Sequence, residues 1–261
     1  MALLINIFAA LFAFGFGAAF LYSAIKQQRQ TSLVENTPTE TVNAVSMGRT
    51  ELEGDPHPND HVLTQPFTDG DAVFVWYRIE ERERRPLTGS SKQAPGSNRW
   101  VVVDEGEEVV PFAVKDGTGK VYIDLNDSPE FKISNENRTQ TLVRTWQSES
   151  SKIREFLKQY RNVSPKRNGL WGVLDGVKRR FTQVVLPTDE TMYVFGGTRR
   201  TEDGVPVIGR DEETGEFIIS DKPADELEES LRMEVIAVAA VGLGFFVAGF
   251  LALMFGVPVF W

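Results

Sequence analysis

The sequence predicts an α+β chain: a β-rich, mostly antiparallel soluble domain set between two transmembrane helices. Three observations predict it. No charged residue occurs between Met1 and Ile25 or between Val235 and Trp261, and about 20 apolar residues suffice to cross the hydrocarbon core of a bilayer. Between these ends, short runs rich in valine, isoleucine and aromatics recur, separated by glycine, proline and aspartate. One stretch alone stands out by a helical period, Ile153, Phe156, Leu157 and Tyr160.

The first span is expected at residues 1–25, "MALLINIFAALFAFGFGAAFLYSAI". A cleaved signal peptide would carry a basic leading segment, a shorter apolar run and a small-residue cleavage site, none of which fits. Residues 26–43 are polar and poor in aromatics and are expected to form a stalk, with the folded domain at 44–232 and the second span at 233–261. Trp261 suits a membrane interface, and Gly242, Gly244 and Gly249 would allow a close helix contact.

Within the domain, "DAVFVWYRIEERER" starts as an apolar run and then alternates, as a strand does when it leaves a core for solvent. The tract 85–98 reads as a loop by its glycine, proline and serine content. Three strands are expected in 99–125, the last two joined at Asp116-Gly117-Thr118-Gly119. "TQTLVRTW" is a further strand, and Ser150 or Ser151 can cap the helix that follows. Two strands are expected around "PTDE" at 187–190 and a further hairpin around Glu213-Thr214-Gly215-Glu216, before a short acidic helix leads into the second span.

Charge and composition narrow the function. Formal net charge is -9, which argues against a nucleic-acid partner. Arginine outnumbers lysine 18 to 10, and an acidic, lysine-poor surface suits a high-salt cytoplasm that screens carboxylate repulsion. Lys26, Arg29 and Arg232 flank the spans on the domain side, which predicts a two-pass protein with its domain in the cytoplasm. With no cysteine there is no disulfide, no thiol nucleophile and no thiolate zinc site.

No motif builds an active site. An aspartic protease pairs two carboxylates that share a proton, and Asp116 lacks such a partner in sequence. A phosphate loop precedes a helix, whereas "GKVYID" reads as a strand. Asp116 is therefore expected to serve a hairpin turn, with glycine supplying positive φ. His57 and His61 sit in "DPHPNDH", where Pro56 and Pro58 rule out the helix that would align two metal ligands, leaving an exposed loop. No G-x-S-x-G elbow occurs. We therefore expect no catalytic residue, no cofactor and no metal, with an unrecognised carboxylate hydrolase as the remaining enzymatic alternative.

The order of several segments resembles a known domain. Gly48, "LTQPF" at 63–67, "AVFVWYRIEE" at 72–81, Trp100, "PFAVKDGTGKVYID" at 111–124 and "RRFTQVVLPTDETMYVFGG" at 179–197 are similar to the GIDE domain. This is the beside-a-membrane (BAM) domain of MULAN-type E3 ubiquitin ligases and their prokaryotic relatives. The resemblance implies two flanking spans and a domain beside the bilayer. It also implies a RING after the second span, which needs thiolates that these 261 residues do not contain. Gln183 stands where the resemblance implies an acidic residue. The expected function is a non-enzymatic binding or sensing module for a membrane-proximal protein, or an adaptor for a separate ligase or protease. The candidate partner surface is Arg82, Arg84 and Arg85, in the charged tract that precedes the 85–98 loop.

Overall fold

The structure is a computed structural model of the 261-residue chain and describes residues 2–35, 37–82, 99–144, 147–159 and 178–255. It divides into two compact units, one formed by residues 1–39 with 223–261 and the other by residues 40–222.

The first unit is a pair of helices, α1 (Ala2–Glu35) and α3 (Ala224–Phe255). Both are long and apolar enough to cross a membrane. α1 continues as helix through Lys26 and Arg29, so the polar segment after the apolar run begins helical. The acidic residues Asp225 and Glu226 occupy the first turn of α3, where the helix dipole favours negative charge, and the apolar run follows without a break.

The two helices meet along a seven-residue repeat. Ala10, Gly17, Ala24 and Thr31 are buried on α1, and Gly242 and Gly249 on α3. A Cβ at Gly242 would lie 3.2 Å from the carbonyl oxygen of Gly17, and one at Gly249 would lie 3.0 Å from the Phe14 ring. Small residues thus bring the backbones together, as required where lipid gives apolar side chains no reason to leave it. Gly244 faces open space and takes no part. Away from the seam the large side chains point outward: Phe8 is 72% exposed, Phe12 70% and Phe255 83%. Such surfaces suit hydrocarbon and not water.

The second unit has two β layers. The larger contains β1 (Thr39–Glu40), β2 (Gly48–Pro58), β6 (Phe112–Lys115), β7 (Lys120–Ile123), β8 (Glu130–Lys132), β11 (Met192–Arg200), β12 (Pro206–Gly209) and β13 (Ile218–Ser220). Its pairings run β2–β6–β7–β12–β11 and return to β2, forming a ring. Gly54 lies where β2 passes from β11 to β6, and a Cβ there would come within 2.6 Å of the Lys115 carbonyl oxygen. The smaller layer contains β3 (Leu63–Thr64), β4 (Asp71–Arg82), β5 (Trp100–Val109), β9 (Arg138–Val143) and β10 (Arg179–Pro187), with β5, β4, β10 and β9 side by side and antiparallel. β4 is buried from Ala72 to Val75, where both faces are covered, and becomes half-exposed at Trp76.

Two expected hairpins are not hairpins. β10 pairs with β4 and β9, while β11 pairs with β2, β12 and β13, so the Thr188–Thr191 turn carries the chain from one layer to the other. Both strands are buried along most of their length, and each has both edges taken by other strands, β10 by β4 and β9, and β11 by β2 and the β12–β13 pair. β12 and β13 both lie on the edge of β11 opposite β2, and the Asp211–Glu216 turn joins them. Two pairs, β12 with β7 and β13 with β8, are parallel, whereas the other described pairings among β2 to β13 are antiparallel.

One core joins the layers through Leu52, Phe74, Phe112, Val114, Leu186 and Ile219. A second lies beneath α2 (Ser151–Gln159), where Ile153 and Leu157 pack on Phe67, Ile79 and Phe181. The Ser150 hydroxyl accepts the Ile153 amide at 3.2 Å and caps this helix. Arg179 and Glu149, both buried, pair at 2.8 Å and tie the segment before α2 to β10.

Candidate functional site: the open face of the smaller sheet

α2 covers one face of the smaller sheet, the face of Tyr77 and Ile79. Alternation sends Trp76, Arg78, Glu80 and Arg82 to the other. Cross-strand register aligns rows on that second face. One row is Leu142, Arg180, Glu80 and Val102; the next is Gln140, Thr182, Arg78 and Glu105; the third is Arg138, Val184, Trp76 and Glu107. Trp100, opposite Arg82, completes the face at its far end.

Most charges on this face are already engaged. Arg180 bonds Glu80 at 3.2 Å and lies 4.2 Å from the centre of the Trp100 ring. Arg78 bonds Glu105 at 3.1 Å and lies 5.0 Å from the Trp76 ring. Leu142 is 47% exposed and Val102 44%. Half-exposed tryptophan and arginine beside exposed Leu142 and Val102 are residue types enriched at protein interfaces. Near the larger layer, Trp76, Glu107, Val184, Pro129, Phe131 and Ile133 line a hollow of about 310 Å³.

Arg82 sits at the end of β4 on this face and is half-buried; its Nε atom is shielded from solvent and has no partner among the described residues. Arg84, Arg85 and the loop to residue 98 lie outside the described residues. The tract does not begin as a free, solvated strand end, because Glu80 and Glu81 are held by Arg180 and Arg179 across β10.

Asp116 does occupy a hairpin turn between β6 and β7. Its Oδ1 accepts the Thr118 amide at 2.7 Å, the Thr118 hydroxyl at 2.7 Å and the Gly119 amide at 2.9 Å. Its Oδ2 accepts the Val42 amide at 2.9 Å, and the Thr118 hydroxyl accepts that of Asn43 at 3.0 Å, so the tip also latches the strand-entry segment. Desolvation pushes the carboxyl up, but the Thr118 hydroxyl and the amides of Val42, Thr118 and Gly119 outweigh it and hold the pKa down at about 2. Neither Gly117 nor Gly119 has a positive φ, so the turn is set by the carboxylate and not by left-handed glycine.

His57 corrects the expectation of a loop: it lies in β2, opposite Ala113. Proline breaks helices but is tolerated here because this strand end needs few ladder bonds. His61 is exposed beside a groove of about 470 Å³ under α2, which Tyr77, Gly106, Lys152, Glu155 and Phe156 also line. Lys152 there is paired with Asp69 at 3.7 Å, and no nucleophile and base are hydrogen-bonded within the groove among the described residues.

Gln183 is 1% exposed; its Oε1 accepts the Phe67 amide at 2.7 Å and its Nε2 donates to Thr68 at 2.5 Å. A carboxylate could accept but not donate, so the amide suits this position better. Gly106, which no sequence motif marks, lies opposite Tyr77, whose ring crosses it; a Cβ would meet the ring at 2.7 Å. A glycine inside a strand signals such an approach.

Comparison with known proteins adds one finding. No curated protein and no solved structure matches the chain. The model of the GIDE family, described as E3 ubiquitin ligase, matches residues 80–254. That span takes in most of the β unit and the second apolar helix, which is more than half of the chain. The chain belongs to the GIDE family.

Proposed function

We propose that this chain is a non-enzymatic, two-pass membrane protein whose domain, residues 44–232, binds a protein beside the bilayer, on the cytoplasmic side of a prokaryotic plasma membrane. The observation that carries the reading is a compact β unit whose chain enters from one long apolar helix and leaves into another, with a tryptophan- and arginine-bearing face open to solvent. Tethering at both ends raises the effective concentration of a membrane-bound partner over a soluble one.

The partner surface is the open face with Arg82 at its end, together with Arg84 and Arg85, which follow in the sequence. A second reading has a specific motive. The family model carries a ligase name, yet these residues include no cysteine from which a RING could be made, so the domain can serve as an adaptor that docks a ligase or protease supplied by another chain.

Crosslinked affinity purification from native membranes at native salt tests the proposal. Replacing Arg82, Arg84 and Arg85 together by serine is expected to deplete the main partner. The pair Arg84→Ser and Arg85→Ser controls for the half-buried Arg82. Equal recovery of every partner removes the arginine tract, and failure to recover any membrane protein counts against the binding-module reading.

A further inference from the structure

We infer that the third row of the open face is a docking strip for a short protein segment carrying an acidic group at one end, apolar side chains in the middle and a basic group at the other. The inference rests on the binding-module reading and names what the module recognises.

The row consists of Arg138, Val184, Trp76 and Glu107 on four adjacent strands. With strands roughly 4.8 Å apart, its ends lie about 14 Å from each other. The two inner rows of charges are satisfied internally, Arg180 by Glu80 and Arg78 by Glu105. Arg138 and Glu107, in contrast, are exposed and have no ion-pair partner among the described residues. Between them Trp76 and Val184 are half-exposed over the 310 Å³ hollow, which Phe131, Ile133 and Pro129 wall on one side.

The Phe131 ring stacks on Phe74 at 3.9 Å and packs against the core, which seats the wall on the larger layer. This wall also decides the occupant. The larger layer stands on the same face just beyond the row, so a second flat sheet cannot lie across it, whereas a narrow segment can run along the ledge. About 14 Å corresponds to roughly four extended or nine helical residues. Because either chain direction can satisfy the ends, recognition depends on carrying one charge of each sign and not on their order.

The test uses the full chain in detergent and a set of synthetic nonapeptides with a common leucine- and phenylalanine-rich centre. One set has one acidic and one basic end, a second has two acidic ends, a third two basic ends and a fourth neutral ends. The mixed set is expected to bind tightest, by about 2- to 5-fold per matched end, since exposed ion pairs contribute little each. Glu107→Lys should transfer the preference to the doubly acidic set, and Arg138→Glu to the doubly basic set.

A preference that neither variant moves overturns the proposal. So does equal binding of the neutral set, which would make the hollow a non-selective apolar site. Val184→Glu, placed between the two ends, should abolish binding of the mixed set while the melting temperature stays within a few degrees of the wild type. If the membrane pull-down recovers a partner that neither charge reversal affects, this strip fails and the binding-module reading stands.

Discussion

Replacing Asp116 by alanine removes the acceptor for three backbone amides and one hydroxyl, and it loosens two pieces of chain at once. The depressed pKa sets the scale. A carboxyl held at about 2 in the folded unit, against about 3.9 in the unfolded chain, would contribute somewhat more than 2 kcal/mol in a shielded setting. The turn is partly open to water, and solvent screening reduces this to about 1 kcal/mol. For a unit of this size that is roughly a 2–4 °C fall in melting temperature.

Because the folded pKa lies below the unfolded one, the contribution is fully present above about pH 4 and is lost as pH falls toward 2. Thermal melts of the full chain in detergent, followed by tryptophan fluorescence between pH 2 and 6, should show a gap between wild type and Asp116→Ala that is constant from pH 5 upward and closes toward pH 2. Asp116→Asn should fall between them: one oxygen can still accept the Thr118 and Gly119 amides, but the replaced oxygen no longer accepts from Val42. A gap that persists unchanged at pH 2, or no gap at pH 6, refutes the carboxylate latch. Loss of partner binding without any change in stability would show that Asp116 belongs to a recognition site.

Other expectations follow from single contacts. Gly106→Ala should destabilise by about 1–3 kcal/mol, because the Tyr77 ring occupies the space of the new methyl; circular dichroism melts check it. Glu149→Ala should cost about 1.5–3 kcal/mol, because buried Arg179 loses one of its two carboxylates and keeps Glu81 at 2.7 Å, and a melt no lower than that of an exposed-site control would show the pair to be dispensable. If Lys26, Arg29 and Arg232 hold to the cytoplasm, protease should cut the domain in inverted vesicles and spare it in intact cells; the reverse would place the domain on the non-cytoplasmic side. Purified chain should bind no stoichiometric zinc, and two zinc ions per chain by metal assay would overturn the adaptor reading's premise.

How far the sequence reveals this molecule depends on whether a feature is local. The Asp116 turn and the capped helix at Ser150 are readable because their partners lie within a few residues. Strand partners are not: β10 and β11 look like two arms of one hairpin, and only the pairing in space shows that both edges of each are taken by strands distant in sequence. The helix seam was readable in principle, since Ala10, Gly17, Ala24 and Thr31 recur every seven residues. A run apolar on every side hides it, because residue size and not polarity marks the contact.

The same distinction governs the candidate site. Arg82, Arg84 and Arg85 announce themselves as a cluster of charge, but the partners of that tract come from about a hundred residues away, where Arg179 and Arg180 take up Glu81 and Glu80. Arg138, Val184, Trp76 and Glu107 belong to four strands from separate parts of the sequence, and a slip of one residue in any of them would turn its member to the α2 face. Trp76 alone reads as the start of an alternating strand, and Glu107 as one acid among several. Their pairing into a strip with opposite charges at its ends is a property of register, and it disappears if the register of β5 against β4 changes. An insertion of one residue between Gly106 and Glu107 should therefore abolish the selectivity for mixed-charge peptides while leaving every side chain of the strip present in the chain.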